Sequence, residues 1–108
     1  MGFVNYTGGR FVLDGGQTAT IKMGPFVDVN GDVVTGLTIN QADVELSKND
    51  GAFSAKGDAG VASSVGDGWY DVTLDGTDTN TQGNLLVMID VAGALPVWRM
   101  LEVKDSPA

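Results

Sequence analysis

Asp28-Val29-Asn30-Gly31-Asp32 opens in the manner of a calcium loop, with oxygen-bearing side chains at alternate positions that could converge on a hard cation. The rest of that pattern is missing. Val33 stands where the sharp-turn glycine is needed, and Ile39 where a bidentate Glu would close the site. Asn-Gly is also the strongest two-residue hairpin signal in the chain, so the stretch reads as a turn. A second oxygen-rich stretch, Asp75-Gly76-Thr77-Asp78-Thr79-Asn80-Thr81-Gln82-Gly83, could hold calcium or a sugar. Its Asp, Asn and Thr side chains read first as caps on local backbone groups, with Asp78 the expected buried capping carboxylate. No metal site and no cofactor site is assigned from these stretches.

Catalytic chemistry finds little to work with. There is no histidine and no cysteine, which removes the commonest general base, the thiolate nucleophile and the commonest transition-metal ligands. No Gly-x-Ser-x-Gly, Walker or dinucleotide signature occurs. Paired carboxylates could serve a glycosidase, but the acidic residues fall mainly in turns and so short a chain makes a poor cleft. The expectation is a protein that is not an enzyme. Asn5-Tyr6-Thr7 matches a glycosylation sequon but has no secretory leader pattern before it.

Charge narrows the partners. Fourteen acidic against 6 basic residues give a net charge of −8, which disfavours nucleic acid and an anionic membrane surface alike. No apolar run is long enough to cross a bilayer.

The elements that position these residues are read from alternation and turns. Strands are expected over Arg10–Leu13, Thr18–Met23, Phe26–Val29 with return Asp32–Thr35, Asp43–Lys48, Ala52–Lys56, Trp69–Leu74, Asn84–Val91 and Val97–Val103. Val44 and Leu46, Tyr70, Val72 and Leu74, and Leu85, Val87, Ile89 and Val91 are expected to face inward, with Phe53 on the apolar side of its strand. Gly57–Gly68 reads as loop. With 16 glycines in 108 residues and no helical stripe, the pattern predicts one all-β domain over 1–108. Its fold class is an Ig-like antiparallel β-sandwich of about seven to nine short strands. Residues 1–8 are an extended arm that could add to a neighbour's sheet edge, and 104–108 a polar tail. Tyr70 is similar to the corner tyrosine of such sandwiches, although plain core packing is the favoured reading.

Two strands carry apolar residues on both faces. Leu86 and Met88 share the second face of one, Trp98 and Met100 a face of the next, and a strand apolar on both faces is covered on both. These four, with Trp69 next, are the expected protein-contact residues.

Leu37-Thr38-Ile39, Ala42-Asp43-Val44-Glu45-Leu46-Ser47-Lys48, Gly51-Ala52-Phe53, Gly68-Trp69-Tyr70-Asp71-Val72-Thr73-Leu74, the Thr77–Gly83 loop and Gly93-Ala94-Leu95-Pro96-Val97-Trp98 together resemble small structural proteins of tailed bacteriophages. The layout is also similar to the Ig-like amino-terminal domains of phage baseplate and tail proteins. The resemblance runs from about Gly9 to Val103 and rests on framework motifs. It implies a virion component, attached to capsid, neck or tail through other virion proteins and itself as a homo-oligomer, and located in the virion. The alternative is a carbohydrate-binding module aiding adsorption, with Trp69 or Trp98 stacking on a glycan and the Asp75–Gly83 loop supplying hydrogen bonds.

Overall fold

The computed structural model describes residues 4–7 and 10–104, and side chains from Val12 to Lys104. Among these residues there are nine strands: β1 (Val4–Thr7), β2 (Arg10–Asp14), β3 (Ala19–Met23), β4 (Val44–Lys48), β5 (Ser54–Ala55), β6 (Ser63–Gly66), β7 (Trp69–Leu74), β8 (Gly83–Ile89) and β9 (Val97–Lys104). A single 3₁₀ turn, Gln41–Asp43, precedes β4. The strands form a six-stranded sheet in the order β1-β2-β9-β8-β4-β5 and a three-stranded sheet in the order β3-β7-β6. This is a two-layer β-sandwich, and its strand order is of immunoglobulin type, with β3 beside β7 in one sheet and β9, β8 and β4 adjacent in the other.

Pairing is antiparallel with one exception. β2 runs parallel to β9, with Phe11 opposite Leu101 and Leu13 opposite Val103. The chain reaches that position because Gly15 turns away at the end of β2, its N–H donating to the Lys104 carbonyl, and crosses to the other sheet before β3 begins.

The core lies between the sheets and follows from alternation, since successive side chains of a strand point to opposite faces. The larger sheet contributes Leu13, Val44, Leu46, Leu85, Val87, Ile89, Leu101 and Val103, and the smaller Ala19, Ile21, Met23, Tyr70, Val72 and Leu74. Burying each of the larger side chains is worth about 1.5–3 kcal/mol. Phe26 and Ile39, from the long connection between β3 and β4, are fully buried at the sandwich end. Phe26 meets Tyr70 edge to face at 5.2 Å between ring centroids. The Tyr70 hydroxyl donates to the Val34 carbonyl (3.2 Å) and accepts the Leu37 N–H (3.1 Å). It therefore pins the connection 33 and 36 residues upstream, rather than a neighbouring corner.

Several expectations need correction. Val4–Thr7 is an edge strand of the chain's own sheet, paired antiparallel with β2, so this part of the expected arm is already occupied. Met1–Phe3, Gly8 and the tail beyond Lys104 lie outside the described residues. Ser63–Gly66, read as loop, is an edge strand on β7; all four of its residues are exposed, so no hydrophobic alternation marked it. The Phe26–Thr35 hairpin keeps its turn but only one bridge, Val27 to Val33. β5 is two residues long, a short edge strand of the kind that resists further pairing.

Candidate functional site

The turn before β5 shows how the larger sheet is held in register. Asn49 and Asp50 both take positive φ, as a tight hairpin requires. The Asn49 carbonyl oxygen accepts the Asn84 N–H at 2.9 Å, and its amide donates to the Gln82 carbonyl at 2.9 Å. Gly83, at φ 118°, leaves room for this side chain, where a Cβ would collide with the Asn49 amide. β4 and β8 are thereby locked at one end, and the β8–β9 ladder follows from there.

That ladder sets Leu86 opposite Met100 and Met88 opposite Trp98. Leu85, Val87 and Leu101 point into the core, so these four stand on the outer face of the larger sheet. Four of the five expected contact residues are brought together in two adjacent cross-strand pairs. Trp98 is 66% and Met100 43% exposed, whereas Leu86 and Met88 are half-buried between their neighbours. On the next strand Ser47 lies opposite Leu86 and Glu45 opposite Met88. Ala55 is opposite Glu45 in turn. Phe53 is 46% exposed, which reverses its expected inward placement.

The outer face of the smaller sheet carries polar cross-strand pairs. Thr20 and Thr73 stand hydroxyl to hydroxyl at 3.5 Å, and Lys22 pairs with Asp71 at 3.0 Å. Trp69 belongs to this sheet and is separate from the other four residues. The Arg99 guanidinium lies 6.0 Å from its ring centroid, and a Cβ on Gly24 would come within 3.0 Å of a ring carbon. Trp69 thus closes the edge of the sandwich against its own chain.

The Asp75–Gly83 loop spends its oxygens internally. The Asp78 carboxylate is buried and accepts the N–H groups of Gly57 (2.7 Å) and Asp75 (2.9 Å), as expected of a capping carboxylate. Asp75 accepts from Thr77 and Asp78, and Thr79 donates to the Gln17 carbonyl. The loop follows β7 and precedes β8, whereas Trp69 begins β7 and Trp98 pairs near the far end of β8. A strand of this length separates them by roughly 17 Å. The fold therefore does not bring either tryptophan to this loop. In the first oxygen-rich stretch Asp28 accepts the N–H groups of Asn30 and Asp32, an Asx turn. Among the described residues no group of three or more acidic side chains is placed to hold a metal ion.

One buried cation had no signal in the sequence. Lys56 is 2% exposed, and its ammonium donates to the carbonyls of Asp58 (2.7 Å) and Gly60 (3.0 Å) and to the Asp58 carboxylate (3.3 Å). The Gly60 N–H donated to Asp58 holds that carboxyl below the usual value, against burial, and the Lys56 ammonium adds to the effect. This cluster organises the 57–61 loop and leaves no open coordination.

The fold and site define an all-β sandwich with an apolar patch on the outer face of its larger sheet. No family model matches the chain, and neither a curated protein nor a solved structure gives a significant match.

Proposed function

We propose that this protein is a non-enzymatic structural component of a tailed-phage virion, attaching to its neighbours through the outer face of the larger sheet. One observation carries the contact reading: Leu86, Met88, Trp98 and Met100 stand in two neighbouring cross-strand pairs as an apolar patch on the outer face of the larger sheet. Contiguous exposed apolar surface marks contact sites, and tryptophan is a frequent anchor in them. The phage assignment rests on the framework resemblance, and an acidic, histidine- and cysteine-free sandwich is compatible with it.

Attachment through a small patch suits an assembly, because symmetry multiplies modest contacts. Mass spectrometry of purified particles from a producing culture tests the assignment. The chain is expected in the particle fraction at a fixed ratio to the major coat protein. Recovery only from the particle-free supernatant would overturn it.

A further inference from the structure

The hairpin between β3 and β4 sets one asparagine apart from the rest. Of the chain's six asparagines, Asn30 alone is followed by glycine; the others precede Tyr6, Gln41, Asp50, Thr81 and Leu85. The fold separates them further. The Asn49 side chain is held by Gln82 and Asn84, and that of Asn80 accepts from Lys48 and Thr81. Asn40 caps the 3₁₀ turn, and Asn84 lies within β8. Asn30 is exposed at the hairpin tip, and among the described residues no hydrogen bond holds its side-chain amide. Nothing lies within 4 Å of where a Cβ on Gly31 would stand.

The side-chain amide carbon of an asparagine is one five-membered ring away from the nitrogen of the next residue. When that nitrogen loses its proton it can attack Cγ. The N–Cγ bond forms, the bond from Cγ to the amide nitrogen breaks, and ammonia leaves with a proton. Water then opens the cyclic imide at either carbonyl and leaves aspartate or isoaspartate. The step needs no oxidant and no cofactor. Glycine as the next residue leaves the attacking nitrogen uncrowded, since it carries no Cβ.

The turn restrains this step. The Gly31 N–H donates to the Asp28 carbonyl at 2.9 Å, so the attacking nitrogen is committed to the backbone. The Asp28 carboxylate accepts the Asn30 N–H at 2.9 Å and the Asp32 N–H at 3.1 Å, and the Asp28 N–H donates to the Asp32 carbonyl at 2.9 Å. Asp28 therefore holds the peptide groups on both sides of the reacting pair.

We propose that Asn30 is a site of spontaneous deamidation, and that Asp28 sets its rate by holding the turn closed. The product places a further carboxylate between Asp28 and Asp32. Its isoaspartyl form routes the main chain through Cβ and Cγ, one methylene longer, and breaks the register of the Asp28–Asp32 bonds. This hairpin also accepts the Leu95 N–H on the Val27 carbonyl and the Tyr70 hydroxyl on the Val34 carbonyl. The modification thus loosens the end of the sandwich and leaves its sheets paired.

Prolonged incubation of the full chain at neutral and mildly alkaline pH, followed by peptide mapping with mass spectrometry, is the test. Amide loss is read as a mass gain of one dalton in the peptide containing Asn30, which separates it from isomerisation at Asp-Gly, a change without mass. Loss at Asn30 should run at least tenfold ahead of every other asparagine and quicken with pH, because the attacking nitrogen must lose a proton. It should run at least fivefold slower in the folded chain than in the same chain unfolded in guanidinium chloride. Asp28→Ala, shown to be folded by an unchanged circular dichroism spectrum, should recover most of that difference. Asp28→Ser keeps an oxygen acceptor for the turn and should recover less. Amide loss spread evenly over the asparagines, or an Asn30 that stays intact in the unfolded chain, would overturn the site. Equal rates in the wild type and Asp28→Ala would overturn the control by Asp28.

Discussion

Met88 and Trp98 stand directly opposite one another on β8 and β9, both on the solvent side of a sheet whose other side carries the core. An exposed indole opposite a half-buried thioether, with Met100 opposite Leu86 beside it, is a suitable anchor. Because this surface adds nothing to the core, its chemistry can be changed without unfolding the protein.

Trp98→Ser is expected to shift unfolding free energy by no more than about 0.5 kcal/mol, the usual range for surface substitutions. The same change should weaken attachment to the partner by about 2 kcal/mol or more if Trp98 is the central anchor. Urea denaturation and co-sedimentation with particles measure the two effects separately.

Tyr70→Phe keeps the ring and its edge contact with Phe26 but removes the hydroxyl shared by Val34 and Leu37. Leaving a partly buried carbonyl and N–H without that partner should cost about 1–3 kcal/mol. Denaturant unfolding gives the total. Hydrogen exchange should localise the loss, with faster exchange at the Leu37 amide than in β7.

Asp78→Ala removes the carboxylate that ties Gly57 to the start of the 75–83 loop. The expected loss is about 1.5–3 kcal/mol, typical of hydrogen bonds to a charged group. A calcium titration of the wild-type protein should leave its melting temperature unchanged, because this loop's carboxylates already serve backbone donors.

Acid stability should depend in part on Asp58. Its carboxyl is held below the ordinary value in the folded protein, chiefly by the Gly60 N–H and then by Lys56. A depressed folded value means that the unfolded chain takes up the proton first as pH falls. The stabilisation is therefore complete above the ordinary carboxylate value, near pH 4, and is lost as pH drops toward the folded value. Melting temperatures between about pH 2 and 7 should show a shallower acid limb for Asp58→Asn than for the wild type.

Much of the sandwich was legible in the sequence because its central strands obey period two. Ile21 and Met23, Val44 and Leu46, Tyr70, Val72 and Leu74, and Leu85, Val87 and Ile89 all face inward as their alternation requires. What escaped lies at the edges, where no core enforces a pattern. Ser63–Gly66 is an exposed edge strand, Phe53 is exposed just before the short β5, and β1 finds its partner within the chain. The parallel pairing of β2 with β9 is a matter of topology, on which local sequence is silent. The apolar outer face was legible for the same reason as the core, since Leu86, Met88, Trp98 and Met100 are apolar where alternation calls for polar residues. Trp69 shared the composition of that set but not its place, because only the fold shows Arg99 and Gly24 against its ring. Lys56 is the converse case: a charged side chain with no signal in the sequence is buried because the Asp58 and Gly60 carbonyls accept from its ammonium.

Hydroxyl-radical footprinting of the isolated chain and of the same chain within its native assembly tests the contact face most directly. Oxidation at Trp98, Met100 and Met88 should be strong in the free protein and fall at least fivefold on assembly, while the exposed Val29 at the sandwich end, 83% exposed, keeps its labelling. Equal labelling of Trp98 and Met100 in both states would contradict the account, and place the contacts of this protein on another surface.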